Sequence, residues 1–241
     1  APRCFAIEDR LKKELPIPVM HDDQHGTAIV VLAGLINAAK VVHKKLENLK
    51  IVVVGAGAAG RAVTLLLLQA GIKDVIVTDS VGAIVKGRAG MAPYKEELAR
   101  RSNPRKIAGS VADAVSGADV IIGVSGPGTI SRRHIETMAK DAIVFALANP
   151  IPEILPEDAF NAGACVVATG RSDYPNQVNN ALAFPGIFRG ALDTGVKKIT
   201  DEIKLAAARK IASLVKRPSA GEIVPKVTFP GLVKAVASVI R

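Results

Sequence analysis

Two stretches of this chain carry residues whose types and spacing suit chemistry. In "HDDQHGT", His21 to Thr27, two adjacent carboxylates stand between two histidines, just ahead of a long apolar run. His21 and His25 have the separation of the helical zinc-protease pattern, which needs both imidazoles on one face of a continuing helix and a glutamate as base. Here Asp22 takes the place of that glutamate, Pro16 and Pro18 lie upstream, and Gly26 follows where a strong helix former is expected. The stretch therefore reads as a loop entering a helix, with Asp or Thr as its cap. Asp22 and Asp23 keep two readings: acids that favour the helix dipole, or oxygen ligands for a hard divalent ion, which needs more than one protein carboxylate.

The second stretch is "GAGAAG", Gly55-Ala56-Gly57-Ala58-Ala59-Gly60, preceded by the apolar run "IVVV" and followed by a helical pattern. In that context the glycines match a dinucleotide-binding turn. Gly55 allows the tight turn, Gly57 lets the backbone approach a pyrophosphate, and Gly60 lets helix and strand pack closely. The amides near Ala58 and Ala59 open the helix and point at the phosphates. Asp79 ends the next apolar run, "DVIVTD", where a carboxylate accepts from the adenosine ribose hydroxyls. A carboxylate there repels a 2′-phosphate, which favours NAD over NADP; Lys86 and Arg88 follow in a glycine-bearing loop and offer charge to such a phosphate.

These groups need a scaffold, and the chain alternates strands with helices to make one. Gly26 to Lys45 reads as a largely buried helix. Strands are expected at the β-branched run closed by glycines in "LKIVVVGAGAAG", at "DVIVTDS", at "KIAG", at "ADVIIGVSGPG" ending in a glycine turn, at "AIVFALANP" and at "ACVVATG". Between them fall a helix ending at Gly71, a charged helix over Tyr94–Arg101 and a short helix capped by Ser110. Three helical stretches finish the chain, the last near Pro230 to Ile240. Strands apolar on both faces and alternating with helices mean a parallel sheet covered on both sides, a doubly wound, Rossmann-like α/β fold. Residues 1–25 look unlike the rest and read as a connecting segment leading into a domain over 26–241.

Composition narrows the function. At 241 residues the chain is long enough to bury a sizeable core. The formal charge of +10 is scattered over pairs such as Lys12–Lys13 and Lys197–Lys198, without interleaved aromatics, which argues against a nucleic-acid module. No apolar run suits a bilayer span, so no membrane partner is expected. Cys4 and Cys165 form neither a disulfide framework nor a metal-ligand spacing, and a reducing, cytoplasmic setting is expected.

"IPVMHDDQHGTAIVVLAGLINA", "VVVGAGAAG", "ALANPIPEI" and "NQVNNALAFPGIFRGAL" together resemble the malic enzymes, particularly the compact prokaryotic form, along essentially the whole chain. The resemblance implies oxidative decarboxylation of malate to pyruvate and CO₂ with reduction of NAD or NADP, Mg²⁺ or Mn²⁺ as cofactor, and a homo-oligomer. By position, Asp23 resembles the metal-ligating aspartate, with Asp22 beside it in the catalytic site. Asn149 resembles the asparagine that touches malate and the nicotinamide side of the cofactor, and Asn180 a second substrate-contacting asparagine. Ser125 and Gly126 fall where the fourth strand meets the nicotinamide ribose. The family's tyrosine acid, lysine base and two further acidic ligands lie N-terminal to the matching region. Tyr94 and Tyr174 do not match the acid's motif and no lysine here matches the base's. The chain thus resembles the cofactor-binding half of such an enzyme, with the N-terminal part as its partner. A non-catalytic NAD-binding module, or another NAD-dependent dehydrogenase of hydroxy or amino acids, are the readings from other classes.

Overall fold

The computed structural model describes residues 2–241. The short β-branched runs form a six-stranded sheet from β1 (Lys50–Val54), β2 (Asp74–Asp79), β3 (Gly82–Ala83), β4 (Val120–Gly123), β5 (Ala142–Ala146) and β6 (Ala164–Thr169), in the order β3-β2-β1-β4-β5-β6. Neighbours run parallel, with Val53 beside both Val77 and Ile122, except that β3 pairs antiparallel to β2. Chain direction reverses its progress across the sheet between β1 and β4. In a doubly wound sheet the crevice outside the strand ends at that switch point is where ligands bind.

The apolar character of the strands on both faces has a direct cause in two cores. Ile51 and Val53 of β1 point into one, and Val52 and Val54 into the other. The larger core lies under α2 (Asp22–Val41), α3 (Ala58–Gln69), α8 (Phe184–Thr194), α9 (Asp201–Ser213) and α10 (Leu232–Ala237). The smaller lies under α5 (Val111–Val115), α6 (Arg132–Glu136) and α7 (Pro156–Asn161). Each fully buried Val or Ile contributes about 1.5–3 kcal/mol. The long α2 is the central helix: Asn37, fully buried, donates through Nδ2 to the carbonyls of Ala212 and Ile223, both at 2.9 Å, and so ties α2 to α9 and the loop beyond it.

Several expectations hold. Gly71 follows α3 in the left-handed region at φ 93°, and Ser110 caps α5 in a reciprocal capping box with Asp113. The charged helix is α4 (Pro93–Arg101). Other expectations need correction. "KIAG" is not a strand. The Asn103 side chain accepts from the Ile107 N–H at 2.9 Å and donates to the Ile107 carbonyl at 2.7 Å, and Lys106 sits at φ 56°, so the groups and geometry a ladder needs are already used. The third strand is instead the two-residue β3. The expected helix over Gly26–Lys45 begins at Asp22 and ends at Val41, with His43 at φ 54° turning the chain away. Residues 2–14 form a helix, α1 (Pro2–Glu14), and the anticipated boundary at residue 25 falls inside α2. Among the described residues no helix is long and apolar enough to cross a membrane.

Candidate functional site

The glycine turn joins β1 to α3, and its three glycines are glycine for different reasons. Gly55 is at φ 116°, where a side chain would be strained and would press on the Val124 carbonyl. A methyl at Gly60 would sit 1.8 Å from the Gly55 carbonyl oxygen, so the helix can approach the strand only without one. Gly57 has an ordinary φ of −79°, and nothing lies within 4 Å of where its side chain would stand. Neither backbone nor packing requires glycine there, and the space in front of it is open. Ala58 and Ala59 open α3, and no side chain caps it. Beside this turn lies a cavity of about 460 Å³ lined by Gly55, Ala56, Gly57, Asp79, Tyr94 and Ser125, among others. Small-molecule sites occupy roughly this range of volumes.

Asp79, at the end of β2, reaches the same cavity. Arg88 donates to its two oxygens at 3.0 and 2.5 Å, Lys95 of α4 to Oδ2 at 2.6 Å, and the Val81 N–H to Oδ1 at 3.0 Å. Burial by itself would raise this carboxyl, but the Arg88 and Lys95 contacts outweigh it and hold Asp79 well below the usual carboxylate range. One corner of the cavity therefore carries a carboxylate and two cations. Arg88 was visible in the sequence as a charge close to Asp79; Lys95, a turn into a later helix, was not.

Ser125 and Gly126 follow β4. Ser125 is exposed, and its N–H donates to Glu153 Oε1 at 2.8 Å. Around Gly126 a side chain would meet open space. Asn149 follows β5, exposed and joined to Pro150 by a cis peptide, with its amide against Gly170, where a methyl would come within 2.6 Å of Nδ2.

The acidic stretch is built differently. His21 is the N-cap of α2 and no side chain caps the helix, so the expected Asp or Thr cap is absent. The helix runs unbroken from Asp22, and Gly26 is explained by Asp22 itself: a methyl there would lie 2.0 Å from Asp22 Oδ1, which folds back one turn over the glycine. Asn180 reaches Asp22 across the fold, its Nδ2 donating to Oδ2 at 2.5 Å. Asp22 Oδ1 and His21 Nδ1 are buried without a hydrogen-bond partner. Burial, then the neighbouring Asp23 charge, push the Asp22 carboxyl upward against the opposing influence of His21 and Asn180. Asp23 is exposed. His25 faces Glu8 of α1 at 3.0 Å, which also accepts from the His21 N–H and the Gln24 amide, both at 2.9 Å. The two histidines therefore do not share a metal site, and no group of three or more His, Cys, Asp or Glu suited to a metal occurs among the described residues.

The structure thus joins Gly55, Ala56, Gly57, Asp79 and Ser125 at one cavity, and Asp22 with Asn180 at a second place; Asn149 lies at the end of β5 and Asp23 points outward. Glu8 and Glu153 went unremarked in the sequence because their partners are backbone amides and side chains distant along the chain.

The family described as "Malic enzyme, NAD binding domain" matches residues 24–238. The chain is 54% identical to the NAD-dependent malic enzyme of Geobacillus stearothermophilus over 242 aligned positions, covering 100% of this chain and 50% of that protein. It is also 54% identical to the bifunctional malic/malolactic enzyme of Bacillus subtilis, covering 98% of this chain and 60% of that one. The crystal structure of a malic enzyme from Pyrococcus horikoshii superposes with a TM-score of 0.95 at 49% identity, covering 99% of this chain and 57% of that chain. The chain therefore spans little more than half the length of these relatives. It belongs to the malic enzyme family and corresponds to the family's NAD-binding domain.

Proposed function

We propose that the whole enzyme converts malate to pyruvate and CO₂, and that this chain supplies the dinucleotide site together with one wall of the substrate and metal site. The observation that carries the reading is the meeting of Asp22 with Asn180. These residues lie 158 positions apart, yet they pair at 2.5 Å and leave one buried carboxylate oxygen without a partner. Such an oxygen is costly unless something else completes it.

The glycine turn and the α3 amides at Ala58 and Ala59 hold the pyrophosphate, and Asp79 accepts from the adenosine ribose. Ser125, Gly126 and Asn149 would border the nicotinamide side of the cofactor, which would supply the hydride acceptor when bound. Asp79 favours NAD; Arg88 and Lys95 beside it leave NADP accessible. Asn149 and Asn180 donate to malate. Asp23 is the exposed oxygen ligand for Mg²⁺ or Mn²⁺, with Asp22 beside it, and that ion supplies Lewis-acid polarisation when bound. A metal held by one carboxylate is held weakly, so the N-terminal part contributes the remaining ligands, the acid and the base. Helix α1 and the loop after it lead from that part into α2 and the dinucleotide domain. The enzyme is a cytoplasmic homo-oligomer.

An assay of NADH formation from malate and NAD with Mn²⁺ tests the reading. The whole enzyme should turn over, and these 241 residues alone should bind NADH without turnover. Metal-dependent turnover by the chain alone, or none by the whole enzyme, would overturn it.

A further inference from the structure

Glu153 has no role in the site described above, yet it is fully buried in the loop after β5. Among the described residues no ion pair holds it. Its Oε1 accepts from the Ser125 N–H at 2.8 Å and its Oε2 from the Ala148 N–H at 2.9 Å. The first amide opens the loop after β4; the second immediately precedes Asn149. One carboxylate thus bridges the two loops that border the nicotinamide side of the crevice. Its own backbone carbonyl takes the Ile130 N–H at 3.4 Å, closing the β4 loop from its far end. The last residue of β4 is matched to it: a methyl on Gly123 would lie 2.5 Å from Glu153 Cδ, so the carboxylate lies in the space that glycine leaves.

A buried carboxyl group is expensive unless its oxygens find donors, and here each oxygen meets one backbone N–H. A neutral amide cannot replace it. Glutamine offers one acceptor and one NH₂, so one of the two backbone donors would face another donor.

We propose that Glu153 is a positioning residue that sets the spacing of the Ser125 and Asn149 loops, and through them the seat of the nicotinamide nucleoside. The proposal rests on the cofactor assignment above. Its consequence is a split between the two halves of the dinucleotide. Contacts to adenosine and pyrophosphate come from the β1 and β2 ends, which Glu153 does not touch; contacts to the nicotinamide half come from the loops it holds.

The test titrates this chain with NADH and separately with ADP, which fills only the first half. E153Q is expected to weaken NADH roughly tenfold, the scale of one lost charge-assisted hydrogen bond, and to leave ADP within about twofold of wild type. G123A, whose methyl displaces the same carboxylate, should reproduce the split and decides the matter if E153Q melts below the assay temperature. Unchanged NADH affinity in the folded variants, or equal losses for both ligands, would overturn the proposal. Wild-type chain that binds neither ligand would remove the cofactor assignment first, and the proposal with it.

Discussion

The glycine turn and the acidic turn at Asp22 both sit at the start of a buried helix, and they differ in how complete they are. Beside the glycine turn Asp79 is fully partnered by Arg88, Lys95 and the Val81 amide, and an open cavity lies in front of Gly57. At the acidic turn, Asp22 has one partner for its two oxygens, the other being buried without one, and Asp23 is exposed. A self-contained site can be occupied by a ligand as it stands. An incomplete one needs the rest of the enzyme before it can bind or react.

The largest effects should come from testing the first region's self-sufficiency. G57V should melt with wild type, because open space receives the side chain, yet lose NADH binding by at least about a hundredfold, since the branched group stands where the pyrophosphate approaches. G60A should do the reverse first, losing about 1–3 kcal/mol of stability to the clash with Gly55. Equal melting losses in the two variants, followed by thermal denaturation, would erase the distinction between a ligand-facing glycine and a packing glycine.

The second region is sharpened by its asparagines. Asn149→Ala and Asn180→Ala in the whole enzyme should each cost roughly tenfold or more in kcat/KM for malate while largely keeping the melting temperature. Asn180→Ala also strips Asp22 of its hydrogen bond and should raise that carboxyl further. A fall in melting temperature with normal kinetics would make these amides structural.

A smaller effect is expected at Asp79, the residue proposed to set the cofactor choice. Asp79→Ser removes the ribose acceptor and frees Arg88 and Lys95 for a 2′-phosphate, so the NADP-to-NAD affinity ratio should rise by roughly tenfold, about 1.4 kcal/mol. A wild-type chain that binds NADP more tightly than NAD would contradict the role given to Asp79.

The smallest effect concerns Glu8, which fastens α1 to the start of α2. Burial would raise its carboxyl, but hydrogen bonds from His25 and Lys12 hold it well below its ordinary value of 4.5. Below that value the unfolded chain takes up a proton that the folded chain refuses, so stability falls as the pH drops through this window and is fully present above it. Glu8→Gln should flatten that acid limb. Parallel melting curves of the two proteins from about pH 5 to pH 3 would show that Glu8 is not linked to folding.

What could be read from the sequence follows the same divide. Local patterns carried through: the β-branched runs became β1 and β2, "GAGAAG" became the turn, and Ser110 became a cap, because each depends on neighbours a few residues away. "KIAG" failed because a single side chain, Asn103, takes the backbone groups of Ile107, and composition does not show that. Gly26 reads as the end of a loop entering the helix, whereas the helix already runs from Asp22, whose carboxylate occupies the space that glycine leaves. The pairing of Asp22 with Asn180 and the bridge made by Glu153 join distant positions, and no spacing rule announces them.

The exposed carboxylate beside Asp22 is the decisive group. Its most direct test is a Mn²⁺ titration of malate-dependent NADH formation by the whole enzyme, wild type against Asp23→Ala. Wild type should saturate with metal, and the variant should lose metal affinity and turnover together while still binding NADH through the intact glycine turn. An Asp23→Ala enzyme with normal metal dependence and normal turnover would contradict the assignment.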